Sequence, residues 1–311
     1  MKCLVTGANG FVGRSLCAGL ARQGHAVRAA VRSANAWIVG VEPVVVGSIS
    51  AETDCFAALH GVDAVVHLAA RVHVMHDTAS DPLAEFRAAN VDVTLNLARQ
   101  AAAAGVKRFV FISSVKVNGE STQPGQAFTE ADPPDPQDAY GQSKYEAEQG
   151  LCQISAQTGM EVVIIRPPLV YGLGVKANFS ALMRAVQRGW PLPLGAITHN
   201  RRSLVALDNL VDFIVTCITH PAAANQTFLV SDGEDLSTTD LLRRMGRALG
   251  KPARLLPVPP ALLKLGAALL GKPELAQRLC GSLQVDISKT RQLLGWVPPL
   301  SVDEGLRRAA K

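Results

Sequence analysis

The stretch Lys2-Cys3-Leu4-Val5-Thr6-Gly7-Ala8-Asn9-Gly10-Phe11-Val12-Gly13 decides the fold. A short apolar run passes straight into glycines spaced Gly-x-x-Gly-x-x-Gly. Arg14 to Gln23 then carries Leu16 and Leu20 at helical spacing. The segment reads as strand, tight turn and helix. Gly7 permits the turn, Gly10 lets backbone approach a pyrophosphate, and Gly13 lets the helix close on the strand. The helix start, with Phe11 and Val12 in its first turn, offers unpaired N–H groups and a positive dipole end to a phosphate. An ordinary strand–turn–helix is the plain alternative. The position of the motif on the opening strand favours dinucleotide binding.

Outward from this motif, apolar β-type runs recur at 26–31, 44–46, 64–68, 109–113, 162–166 and 227–231, with helical patterns at 92–105 and 140–158 between them. The alternation predicts an α/β fold, a Rossmann-type doubly wound parallel sheet covered on both faces. After Gly172, proline and glycine interrupt the chain more often, as in Gly189-Trp190-Pro191-Leu192-Pro193 and Pro257-Val258-Pro259-Pro260. A dinucleotide-binding domain is expected over 1–171, with 204–231 returning to it. A smaller mixed C-terminal substrate-binding lobe is expected over 172–203 and 232–311.

The chain has 311 residues, 48% of them hydrophobic, and a formal charge of +5. That length suits one large α/β domain with a companion lobe. The basic residues are scattered, without a Lys/Arg run, so neither a nucleic acid nor a membrane is expected as partner. The longest apolar helix-like stretch, 261–270, is broken by Lys264 and too short to span a bilayer. Six separated cysteines, mostly in apolar surroundings, read as buried free thiols; neither disulfides nor a metal site is expected. With no leader-like segment at its start, a cytoplasmic address is expected.

A second segment, Tyr140-Gly141-Gln142-Ser143-Lys144, places a phenol and an ammonium four residues apart on one helix face. A nearby cation favours phenolate and lowers the tyrosine pKa, creating a proton donor or acceptor for carbonyl–alcohol interconversion. An exposed helical pair is the alternative. Upstream, the apolar strand 109–112 ends in Ser113 and Ser114, at the end of a parallel sheet where ligands bind. Capping of the next turn is expected for Ser113.

Together these segments resemble the extended short-chain dehydrogenase/reductase superfamily, in its nucleotide-sugar epimerase/dehydratase group, which contains UDP-glucose 4-epimerase. The resemblance covers nearly the whole chain. It implies Ser114, Tyr140 and Lys144 as the catalytic trio. It implies Leu68, Ala69 and Ala70, after His67, as a cofactor-lining strand end, with Asn90 on the neighbouring helix and Pro167-Pro168 beside the nicotinamide. Asn178-Phe179 and Arg201-Arg202 fall where relatives hold a uridine diphosphate. It also implies a homodimer through the helix after Asn90 and the helix of Tyr140. The alanine-rich stretch 98–104 suits that contact, or equally a helix resting on the sheet.

The sequence departs from the epimerase pattern at several places. Val31 stands where NAD-binding relatives carry an acid for the ribose hydroxyls, and Arg32 follows. Without the acid a 2′-phosphate is not repelled, and Arg32 can pair with it; a solvated surface arginine is the alternative. Ser48, before Ile49, replaces an aspartate for the adenine. Lys116 lies near the reactive sugar in the family arrangement, to contact it or to face outward. Asn118 replaces the usual tyrosine. NADP(H) is therefore favoured, with NAD(H) as the alternative.

An NADP-type pocket suits net reduction, because cells keep that cofactor reduced. The segments 114–120, 167–179 and 200–209 resemble a bacterial subgroup of surface-polysaccharide enzymes, similar to 4-keto reductases that form UDP-N-acetylquinovosamine. The resemblance thus implies NADPH-dependent reduction of UDP-4-keto-6-deoxy-N-acetylglucosamine. The alternatives are a UDP-glucose or UDP-N-acetylglucosamine 4-epimerase with retained NAD and, from another class, a dinucleotide-binding regulator without chemistry.

Overall fold

A computed structural model describes residues 1–33, 40–72, 81–123 and 125–311. Among the described residues nine strands run in chain order: β1 Lys2–Thr6, β2 Ala26–Val31, β3 Glu42–Val45, β4 Ala64–His67, β5 Arg108–Ile112, β6 Glu161–Arg166, β7 Leu169–Tyr171, β8 Leu204–Ala206 and β9 Thr227–Leu229. Seven form one parallel sheet in the order β3-β2-β1-β4-β5-β6-β9. This is a doubly wound, Rossmann-type sheet. Its strand order reverses between β1 and β4, where the two chain directions part and leave a crevice at the strand ends.

Side chains alternate across each strand, so both faces need cover. Cys3 and Val5 of β1 point to one face, packed with Leu16 and Leu20 of helix Phe11–Arg22 and Phe213 of helix Leu207–Thr219. Leu4 points to the other, with Val65, Phe109, Leu97 of helix Val93–Ala103 and Leu151 of helix Ala139–Thr158. Ala98 and Ala101 are fully buried in that second layer, so this part of the alanine-rich stretch rests on the sheet.

The chain leaves the main sheet at Pro167-Pro168, which have no N–H to continue a ladder. β7 instead pairs with β8 in a separate two-stranded sheet. The stretch 204–231 is thus shared out. β8 belongs to the small sheet, helix Leu207–Thr219 covers the main sheet, and β9 adds to its edge beside β6. A second core, built on Tyr171, Phe179, Met183, Leu242, Met245 and Leu306, holds the smaller lobe together.

Four of the six cysteines (Cys3, Cys17, Cys55 and Cys217) are buried free thiols; Cys280 is half-buried and Cys152 exposed. Among the described residues, no helix is long and apolar enough to cross a membrane.

Candidate active site

The glycine turn stands at the crevice. Gly7 has φ +65°, and a Cβ there would lie 2.8 Å from the Ala69 nitrogen. This glycine serves the turn and also its close packing on the chain leaving β4. A Cβ on Gly13 would lie 2.2 Å from the Gly7 carbonyl oxygen, so helix and turn touch through backbone alone. Gly10 caps the helix without a side-chain bond, and no acid occupies the first turn around Phe11 and Val12. A Cβ on Gly10 would meet only the Gly7 carbonyl oxygen, at 3.0 Å. An uncapped helix start with clear space at Gly10 fits a pyrophosphate.

Across the crevice, His67 is fully buried. The Thr94 hydroxyl donates to the Asn90 carbonyl at 2.6 Å, so it accepts from His67 Nε2 at 3.0 Å. The Thr6 hydroxyl then donates to His67 Nδ1 at 2.7 Å, an assignment that follows from the hydrogen-bond network. Burial, assisted by the Lys144 charge, pushes the imidazole down to about 3, so it is neutral. Thr6 Oγ1 also accepts from the Leu68 and Ala69 N–H groups at 3.2 Å. These contacts fix Leu68, Ala69 and Ala70, all half-buried, at the end of β4.

Asn90 differs from the expected cofactor contact. Its Oδ1 accepts from Arg71 N at 2.8 Å, and its Nδ2 donates to Arg71 O and to Ser143 Oγ, both at 3.0 Å. Fully engaged, its amide ties the loop after β4 to the helix of Tyr140. Beyond β2 and β3, Val31 is buried, Arg32 and Ser48 are exposed, and Ile49 is half-buried.

Helix Ala139–Thr158 begins at Asp138, whose Oδ1 accepts from Gly141 N at 2.7 Å. Its first turns bring Tyr140 close enough to Ser114 for the serine hydroxyl to act on the phenol. Lys144 Nζ, buried, donates to the Ile112 carbonyl at 2.8 Å and lies 6.0 Å from the Tyr140 ring centre. The sequence trio is one cluster.

Its electrostatics differ from the expected lowered tyrosine. Burial, then Asp138, pushes Tyr140 up to about 12, opposed by the Ser114 hydrogen bond. Burial pushes Lys144 down to about 7, opposed by Glu148. The ammonium faces a carbonyl rather than the phenol, and desolvation weakens its own charged state. In this environment the phenol is protonated at neutral pH.

The two serines also exchange the role expected of Ser113. Ser114 caps the short turn 115–117, accepting from Lys116 N, while Ser113 is buried and donates to Glu148. Lys116 is held by Glu120 at 2.6 Å and by Asp138. Glu148 and Arg166 were missed in the sequence. They form a buried pair, and Arg166 also donates to Asn118 Oδ1 at 3.1 Å. Asn118 also donates to the Thr129 carbonyl at 2.8 Å, so it bridges the pair to the loop after the Ser114 turn. The available signal was Glu148 itself, the next i+4 step after Tyr140 and Lys144.

Pro167 and Pro168, expected beside the nicotinamide, are buried, and the Pro167 carbonyl accepts from Val115 N at 3.0 Å, tying the end of β6 to the Ser114 turn. Asn178 is exposed in the first turn of helix Ala177–Gln187. Phe179 differs from the expected ligand contact: its ring is buried and stacked on Tyr171, with centres 5.3 Å apart. Arg201 is exposed and bonds the Thr198 and Asn200 carbonyls at 3.0 Å. Arg202 is half-buried and donates to the Gly281 carbonyl at 3.3 Å; burial, then Arg278, lowers its pKa.

The NAD-dependent epimerase/dehydratase family matches residues 3–231. The chain is 52% identical over 309 residues to a UDP-glucose 4-epimerase of Vibrio cholerae, covering 99% of this chain and 94% of that protein. It is 29% identical over 277 residues to the N-acetyl-alpha-D-glucosaminyl-diphospho-ditrans,octacis-undecaprenol 4-epimerase of Escherichia coli O157:H7, covering 85% and 81%. A crystal structure of a short-chain dehydrogenase/reductase superfamily protein from Agrobacterium tumefaciens with bound NAD superposes with TM-score 0.78 at 26% identity, covering 100% of this chain and 96% of that one. This protein therefore belongs to the NAD-dependent epimerase/dehydratase family, as an enzyme of the extended short-chain dehydrogenase/reductase fold.

Proposed function

We infer that this enzyme inverts C4 of a UDP-sugar through a transient 4-keto sugar, with a dinucleotide it retains. The observation that carries this reading is the placing of Tyr140 and Lys144 one turn apart on one helix, with the buried ammonium bonded at 2.8 Å to the carbonyl of Ile112, two residues before Ser114. The 52% identity to a protein named UDP-glucose 4-epimerase supports it, against the reductase favoured from sequence.

Gly7, Gly10 and Gly13, with the N–H groups at Phe11 and Val12, would hold the pyrophosphate. Leu68 to Ala70 and Pro167-Pro168 would line the cofactor, and Lys144 would reach its nicotinamide ribose. When bound, oxidised nicotinamide supplies a reversible acceptor for the hydrogen and electron pair of C4.

The Tyr140 phenolate, its own proton released to solvent, would be favoured by the positive charge of the oxidised nicotinamide. It would then take the O4 proton as C4 is oxidised and give it back after the ketone has turned its other face. Ser114 hydrogen-bonds the same oxygen and holds it against the phenol. Asn178, Arg201 and Arg202 anchor the diphosphate, leaving the sugar free to rotate. A homodimer through helices Val93–Ala103 and Ala139–Thr158 is part of the same reading.

One observation favours a second reading. Val31 replaces the ribose-binding acid and Arg32 is exposed next to it, an arrangement suited to a 2′-phosphate. The protonated state of Tyr140 also suits a proton donor to a 4-keto substrate. In that case the enzyme reduces UDP-4-keto-6-deoxy-N-acetylglucosamine with NADPH.

One pair of assays separates the two readings. Conversion of UDP-glucose or UDP-N-acetylglucosamine to its C4 epimer without added cofactor supports the first. Its absence, with stoichiometric loss of NADPH absorbance on the 4-keto sugar, overturns it for the second.

A further inference from the structure

Helix Pro260–Leu269 is apolar all round apart from Lys264, yet none of its residues is buried. Helices of that composition ordinarily sit inside a core. Together with helix Pro273–Cys280 it forms a hairpin on the smaller lobe. Only Leu263, Leu279 and Cys280 of these two helices pack on that lobe's core. Leu262, Leu265 and Leu269, spaced along one helical face, are 57%, 58% and 80% exposed, and Leu270 and Leu275 add 76% and 46%. A single exposed leucine is ordinary; five on one hairpin mark a docking surface.

Charge identifies what covers it. Residues 251–281 hold Lys251, Arg254, Lys264, Lys272 and Arg278 against Glu274 alone, so this short stretch carries most of the chain's +5. Lys264 and Lys272 are exposed within the hairpin and at its turn. A second copy docked through a two-fold axis would set this positive surplus against itself. An anionic bilayer complements both features, taking leucines among its acyl chains and lysines at its headgroups.

We propose that the hairpin 260–280 docks this enzyme on the surface of an anionic lipid bilayer. The attachment is peripheral, since a helix of this length cannot span a bilayer. The broken apolar stretch and scattered basic residues in the sequence argued against a spanning segment and a polybasic run. Leucines interleaved with lysines satisfy neither pattern and still suit an interface. The hairpin is also tied to the substrate side. Asn200 Nδ2 donates to the Leu279 and Gly281 carbonyls at 3.3 and 3.2 Å, and Arg202 donates to Gly281. Docking therefore holds this edge of the lobe at the membrane.

The test is co-sedimentation of the full-length protein with vesicles of phosphatidylglycerol and phosphatidylethanolamine, and separately of phosphatidylcholine alone. Binding is expected to the anionic vesicles and to weaken with salt. The triple variant Leu262→Ser/Leu265→Ser/Leu269→Ser and the double variant Lys264→Glu/Lys272→Glu should each bind about tenfold more weakly. Their melting temperatures should stay near that of the parent, because the altered side chains are exposed. No binding to anionic vesicles, or undiminished binding by the triple variant, overturns the proposal. So does a fall in oligomeric state of the triple variant by light scattering, which would make the face a contact between copies.

Discussion

Glu148 receives the Arg166 guanidinium on both carboxylate oxygens, at 3.0 and 2.6 Å, one helical turn beyond Lys144. The pair is buried, and Ser113 and Asn118 complete its hydrogen bonds. It joins β6 to the helix of Tyr140 directly beneath the candidate active site. Removing one partner strands a buried charge, which costs more than the intact pair contributes. Arg166→Met is expected to lower unfolding stability by about 3–5 kcal/mol. Urea denaturation measures this, and Arg166→Met/Glu148→Leu should recover much of the loss. Equal stability of the single variant and the parent would mean that the pair is not buried as described.

Tyr140→Phe removes the proton-carrying oxygen and keeps the ring. Under the proposed mechanism kcat should fall by about 10²–10⁴-fold, while dinucleotide affinity changes little. Steady-state kinetics and a fluorescence titration of the cofactor read the two separately. Retained full activity would remove Tyr140 from the chemistry.

Ser114→Ala deletes a hydroxyl that acts on the Tyr140 phenol and caps the turn at 115–117. A drop in kcat of about 10²–10³-fold is expected, as for loss of one donor to a developing oxyanion. Loss of the cap should lower stability by only about 1 kcal/mol. A thermal melt beside the kinetic measurement distinguishes lost chemistry from lost folding.

His67 is neutral in the folded chain, with its pKa pushed from 6.5 down to about 3. Between those values the unfolded chain binds more protons than the folded one, so stability falls as pH drops through this window. Above pH 6.5 the contribution of this group is constant. Melting temperatures between pH 7 and 4 should therefore decline less steeply in a His67→Gln variant than in the parent. Parallel curves for the two would contradict a buried neutral histidine.

Gly13→Ala would place a Cβ 2.2 Å from the Gly7 carbonyl oxygen and 2.7 Å from Ala8 Cα. Both contacts are backbone, so the helix must shift from the turn. A loss of about 1–3 kcal/mol is expected, with weakened dinucleotide binding, by calorimetry and titration.

The fold was legible because its signals are local. Glycine spacing after β1, apolar runs buried on both faces and the i+4 step from Tyr140 to Lys144 each follow from short stretches of chain. The clustering of Ser114 with Tyr140 was legible through family resemblance. Other assignments depended on partners far away in sequence. The amide of Asn90 is taken by Arg71 and Ser143, the ring of Phe179 by Tyr171, and the ammonium of Lys116 in part by Asp138.

Local pattern thus determined the parallel sheet, the phosphate-suited turn and the phenol–ammonium pair, because strand and helix periodicity and glycine stereochemistry act within a few residues. Tertiary structure decided the directions in which burial shifts Tyr140 and Lys144, the exchange of roles between Ser113 and Ser114, and the exposure of the leucine hairpin. Burial and hydrogen-bond partnership depend on which distant segments meet, and no short stretch of sequence encodes that meeting.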